Sequence, residues 1–106
     1  MLRIVLCNCS PDESEQLARG LVESRNAACV NVVSGIHSCY EWDGEICEET
    51  EDTLLIKTTD EQYPAMKEWI REHHSYDVPE IVALDVEDVH EPYLAWAERQ
   101  VAGGGE

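Results

Sequence analysis

The sequence predicts an α+β domain of the split βαβ, or ferredoxin-like, type: βαββαβ with a long central hairpin and one more helix at the C-terminal end. Three observations carry that reading. Ser10-Pro11-Asp12-Glu13 and Thr59-Asp60-Glu61-Gln62 each have the form of a capping box, a hydroxyl residue followed three positions later by Glu or Gln. Each directly follows a β-rich apolar run. Between the two helices, Asp43-Gly44 is the dipeptide of a type I′ hairpin turn, which needs positive φ at both central positions.

The elements follow in order. Residues 2–9 (LRIVLCNC) are a short strand, after which Pro11 at the first helical position opens a helix running to about Arg25. Leu17, Ala18, Leu21 and Val22 recur there at helical spacing and form one apolar stripe. Residues 28–43 are rich in Val, Ile, Tyr, Trp and Cys and read as a strand. Its return runs from about Glu45 to Thr59. The first part carries Glu45, Glu48, Glu49, Glu51 and Asp52, read as a solvated face, and the second is apolar through Leu54-Leu55-Ile56. The next helix places Tyr63, Met66, the Lys67 stem and Ile70 on one side and ends near His73-His74, before Pro79 biases Val78 to an extended conformation. Glu80 to Val86 reads as a buried strand, and Pro92 opens a last helix carrying Leu94, Ala97 and Val101. Residues 1–102 thus form one domain and 103–106 a flexible, glycine-rich tail.

The hairpin is long for so small a chain. At about 3.3 Å per residue, arms of about 15 residues reach about 50 Å, whereas a globule of this size has a radius of gyration near 13 Å. Unless Gly35 breaks the first arm and folds the hairpin back on a monomer, the tip projects beyond its own core. It then needs another chain to pair with, and a homo-oligomer is expected.

The 106 residues, 43% of them apolar, suffice for a single core and leave no room for a second catalytic domain. Seven Lys and Arg against 23 Asp and Glu give a net charge of -16, which excludes nucleic acid and anionic membrane surfaces as partners. The acids are spread along the chain and only Lys57 and Lys67 are lysines, a bias expected of a high-salt cytoplasm where counterions screen self-repulsion; an ordinary acidic protein is the alternative. Residues 1–7 are too short an apolar run for a secretory signal, no stretch approaches a membrane span, and a cytoplasmic protein is expected. Five cysteines in such a compartment are thiols.

Soft and borderline metals prefer thiolate and imidazole, which five Cys and four His supply. No pair of C-x₂-C knuckles exists, so zinc-finger and zinc-ribbon sites are excluded. Cys7 and Cys9 leave the same face of a strand and either share one Cu(I) or act as a buried small hydrophobe and a surface thiol. Adjacent His73 and His74 point about 100° apart in a helix, so they serve one ion only where the helix ends beside them; the alternative is a favourable interaction with the helix dipole. Cys29 lies in an apolar run and reads as core, and His37 and His90 as solvated surface. Trp42, Trp69 and Trp96, with four Tyr, stand in for the absent Phe as core or interface bodies. No nucleophile elbow, H-E-x-x-H or phosphate-cradling loop is present, and no catalytic reaction is expected.

Five blocks in order resemble the CutA family, also called CutA1 or divalent-cation tolerance proteins. They are Ala27-Ala28-Cys29-Val30-Asn31, Ser38-Cys39-Tyr40-Glu41-Trp42-Asp43-Gly44, Leu54-Leu55-Ile56-Lys57-Thr58, His74-Ser75-Tyr76-Asp77-Val78-Pro79-Glu80-Ile81 and Tyr93-Leu94-Ala95-Trp96. Ser75 stands where the family has Pro, and Asp77 where it has Glu. The resemblance implies a homotrimer with a role in tolerance to divalent metals such as copper, and it maps the copper-associated positions onto Cys7, His73 and His74. The competing expectation is a ligand-sensing trimer like the PII regulators, with Tyr40, Trp42, Lys57 and Glu80 in a subunit cleft and Lys57 meeting an anionic ligand group; Cys29 is a further cleft candidate.

Overall fold

A computed structural model of the chain describes residues 1–102; the tail expected at 103–106 lies outside the described residues. The elements are β1 (Leu2–Cys9), α1 (Ser14–Glu23), β2 (Cys29–Trp42), β3 (Glu45–Thr59), α2 (Tyr63–His73), β4 (Val82–Asp85) and α3 (Glu91–Gln100). The strands form one antiparallel sheet in the order β2-β3-β1-β4, the ferredoxin-like arrangement expected from the element order.

Strand alternation decides what each face of the sheet does. Val5, Cys7 and Cys9 of β1 and Leu54 and Ile56 of β3 point to the side where α1 brings Leu17 and Leu21 and α2 brings Met66 and Ile70. Each fully buried aliphatic side chain in this layer stabilises the fold by about 1.5–3 kcal/mol. On the other face only one end is covered, where Ala97 and Val101 beside α3 pack on Leu2 and Ala28. Further along, Ile4 faces Leu84 and Leu6 faces Val82 across the β1–β4 register. There Val82 is 46% and Leu84 45% exposed, so an apolar sheet surface has no covering layer in the single chain.

The helix starts show where local signals were outbid. Thr59 Oγ1 accepts the Gln62 N–H at 3.1 Å, but this closes a turn ahead of the helix: α2 begins at Tyr63 without a side-chain cap, and the Gln62 amide donates to Asn26 Oδ1 at 2.9 Å instead of returning to Thr59. At α1 the expected box does not close. Residues 10–13 form one turn through Glu13 N–H to Ser10 O at 3.0 Å, and the α-helix begins only at Ser14. The Glu13 carboxylate is engaged elsewhere, by the N–H and the Oγ of Ser75.

Asp43 (φ 51) and Gly44 (φ 80) have the left-handed conformations that a type I′ turn requires. Gly35 (φ 76) does not break β2 but places a bulge in it, with a register shift between Val33 and Ile36. That bulge is pinned by Asp52, which accepts the Gly35 N–H at 3.3 Å on one oxygen and the Ser14 Oγ–H at 2.6 Å on the other. The ribbon therefore runs on, and the molecule measures 47 × 26 × 21 Å along its principal axes.

Two expectations are corrected here. Glu45, Glu48 and Glu49 are solvated, but Glu51 and Asp52 are each only 5% exposed, because that stretch of β3 passes under Tyr76 and the start of α1. The strand expected at 80–86 is shorter, Val82–Asp85, paired only with Arg3–Leu6 of β1.

Candidate functional site

The three residues expected to hold a metal divide into two places. Cys7 lies in the core and is completely buried. Burial, followed by the neighbouring Cys9, pushes its thiol up to about 12, and burial together with Glu13 and other carboxylates does the same for Cys9. The Cys7 S–H points to the Asn8 carbonyl at 3.8 Å, and the same carbonyl accepts His74 Nε2–H at 2.9 Å. Tyr76 N–H donates to His74 Nδ1 at 3.1 Å, so in this geometry both ring nitrogens of His74 are taken. Cys7 and His74 thus converge on one carbonyl at the end of β1.

His73 stands apart, exposed at the last residue of α2. Its Nδ1–H donates to the Trp69 carbonyl at 2.7 Å, and its ring stacks on the Trp69 indole with centroids 3.9 Å apart and planes 14° from parallel. This leaves Nε2 without a bonding partner among the described residues, and a ring held at Nδ1 by a carbonyl is one that commonly ligates metals through Nε2. The Trp69 indole rests over Gly20 of α1, so closely that a Cβ there would meet Cη2 and Cζ2 at 2.7 Å. Trp69 and His73 line a groove of about 350 Å³ with Glu13, Gln16, Arg19 and Glu23. Among the described residues no group of three or more His, Cys, Asp or Glu side chains is placed to hold a metal ion.

Of the five residues assigned to a cleft, three meet. Tyr40, Trp42 and Glu80 line a groove of about 470 Å³ between the outer hairpin and the segment after α2, together with Asn8, Glu51 and Tyr76. Tyr76 O–H donates to Glu51 Oε2 at 2.8 Å, and desolvation and that bond push the tyrosine up. Tyr40 O–H donates to Glu49, which raises the Tyr40 phenol to about 12. Across the groove Asn8 Nδ2 donates to Glu80 Oε1 at 3.3 Å, and Thr53 Oγ1–H donates to Asn8 Oδ1 at 2.6 Å. Desolvation, then the charge of Glu51, raises the Glu80 carboxyl.

Cys29 and Lys57 are elsewhere. They face each other in the β2–β3 register, and both turn to one side chain: Lys57 is bonded to Asn31 Oδ1, and the Cys29 S–H points to the same oxygen at 3.9 Å. Reasoning from sequence missed Asn8, Glu51 and Tyr76.

The comparisons place this geometry. The family model described as CutA1 divalent ion tolerance protein matches residues 3–100. The divalent-cation tolerance protein CutA of Thermus thermophilus is 44% identical over 97 residues, covering 91% of this chain and 94% of the relative. Protein CutA of Homo sapiens is 46% identical over 88 residues, and the match spans 83% of this chain but only 49% of that longer protein. Among solved structures, the Thermus thermophilus divalent cation tolerance protein superposes with a TM-score of 0.92 at 42% identity, over 96% of this chain and 100% of the other. A PII-like protein CutA from Nostoc, solved in apo form, superposes at 0.89 with 36% identity over 93% of this chain and 96% of that one. A match over nearly the whole sequence, carried by the same βαββαβ order and long hairpin, shows that this chain belongs to the CutA1 divalent ion tolerance protein family.

Proposed function

We propose that the chain is a non-catalytic, cytoplasmic, homotrimeric protein that binds copper or another borderline divalent ion and so contributes to tolerance of such metals. The observation that supports this best is exposed His73, whose Nδ1–H is fixed by the Trp69 carbonyl and whose Nε2 has no partner among the described residues. An ion arrives at His73 from solvent. Cys7 is sealed in the core and both His74 ring nitrogens are bonded, so they would complete the ligand set only through a local opening that frees both and deprotonates the thiol, and binding would then weaken as the pH falls. The uncovered apolar face around Ile4, Leu6, Leu55, Val82 and Leu84, and the unpaired outer edge of β2, support self-association.

Calorimetric titration of Cu(II) into the assembled protein tests the metal reading. His73→Ala is expected to weaken binding about tenfold, the usual loss for a ligand or its orienting partner. An unchanged titration removes His73 from the site. Light scattering should give three times the 12.0 kDa chain mass, and a mass of one chain overturns the trimer.

A second reading, a PII-like sensor of a small molecule, is favoured by the groove that gathers Tyr40, Trp42 and Glu80. Saturable binding of a small organic molecule, lost on Trp42→Ala, would support it.

A further inference from the structure

We propose that the groove between the outer hairpin and residues 76–80 binds a small organic cation, an alkylammonium or diamine, seated among Tyr40, Trp42 and Tyr76 and neutralised by Glu51 and Glu80. The proposal rests on the second reading, that this groove is a ligand site, and it gives the ligand a charge opposite to the one expected from the sequence. The anionic ligand was assigned to Lys57, but Lys57 lies on the sheet beside Asn31, and no Lys or Arg lines the groove.

What lines it is acidic and aromatic. Glu51 is only 5% exposed, yet just one of its oxygens is engaged by a described side chain, Oε2 by the Tyr76 phenol. Its Oε1 is not fully buried, because no fully buried side-chain N or O lacks a partner among the described residues. Glu80, on the facing wall, gives Oε1 to Asn8 and keeps Oε2 open. Two carboxylates in one partly desolvated space repel each other, which an ammonium between them relieves. The Glu80 carboxyl is raised by burial first and by the Glu51 charge second.

The aromatic side chains decide between kinds of cation. Trp and Tyr ring faces attract an alkylammonium and cover its methylenes, whereas a bare divalent ion needs several oxygen or nitrogen donors. No group of three such His, Cys, Asp or Glu donors occurs among the described residues. A volume of about 470 Å³ lies within the usual range for a small-molecule site.

The test titrates 1,4-diaminobutane into the assembled full-length protein in an amine-free buffer, with 1,4-butanediol and succinate as neutral and anionic chains of the same length. The diamine should saturate at one site per chain, more tightly as pH rises through the Glu80 titration, while the diol and succinate do not bind. Glu80→Gln and Trp42→Ala should each weaken binding about tenfold, the loss expected when one charged or cation–π partner is removed. Glu45→Gln at the solvated hairpin tip removes the same charge and should change nothing. Equal weakening by Glu45→Gln would reduce the effect to diffuse attraction by the -16 chain and overturn the proposal. Saturable succinate binding overturns the charge assignment while leaving the groove a ligand site; saturable binding of none of the three overturns the proposal and removes its support from the second reading.

Discussion

Gly20→Ala sets two magnitudes against each other. Gly20 lies inside α1, where alanine ordinarily gains about 0.5–1 kcal/mol over glycine. Here the new Cβ would stand 2.7 Å from two carbons of the Trp69 indole, against about 3.5–4.0 Å for an ordinary carbon contact. The indole must retreat by about 1 Å, and it is held by stacking on His73, which is itself tied to the Trp69 carbonyl. Overpacking of this kind costs about 1–3 kcal/mol, so a net loss of about 1 kcal/mol is expected. With a urea slope of about 2 kcal/mol per molar, the unfolding midpoint followed by far-ultraviolet circular dichroism drops by about 0.5 M. In a Trp69→Ala background the same substitution should raise the midpoint, because only the helix preference remains. A Gly20→Ala midpoint at or above that of the parent chain would refute the reasoning and show that the indole yields freely.

Gly35→Ala and Gly44→Ala meet no atom within 4 Å, so each should lose about 1 kcal/mol from left-handed backbone alone. Gly44→Asn should recover part of that loss in calorimetry; equal losses for Ala and Asn would sink the backbone explanation. Cys39 is exposed and should alkylate rapidly at pH 8, while Cys7 and Cys9 react only after unfolding; early labelling of either would contradict their burial. The ordinary thiol value is 9.0 and the folded value about 12, so this contribution to stability is complete below pH 9 and is lost as the pH rises toward 12. An unfolding free energy flat over that interval would count against it. In the proposed trimer three chains at -16 each would gather -48, so molar KCl should raise the unfolding midpoint; no change would end the high-salt reading.

The fold was largely legible because its signals are local. Asp43-Gly44, Pro92 near its helix start and the apolar alternation of β1 and β3 each state a backbone preference that the tertiary structure left standing. The start of α1 was misread because the partner of Glu13 is Ser75, a residue far away in sequence. The site was harder for the same reason. Residue type alone suggested Cys7, His73 and His74 as one set, but burial claims the thiol, and a one-residue step at a helix end sends the two imidazoles to different carbonyls. Glu51 and Asp52 looked like their solvated neighbours because nothing in an acidic run marks which carboxylate Tyr76 or Ser14 will reach.

Beyond the Gly35 bulge, Ile36–Trp42 and Glu45–Glu51 pair only with each other among the described residues, and no described helix lies over the part that carries Trp42 and Ile46, 57% and 68% exposed. Backbone amides there are protected by a two-stranded ribbon and by whatever packs against it, whereas those of β1 are shut in by the whole fold. Hydrogen exchange at the ribbon should therefore keep a different clock from the core: in the proposed trimer it would run at the rate at which neighbouring subunits let go, long before the chain itself opens.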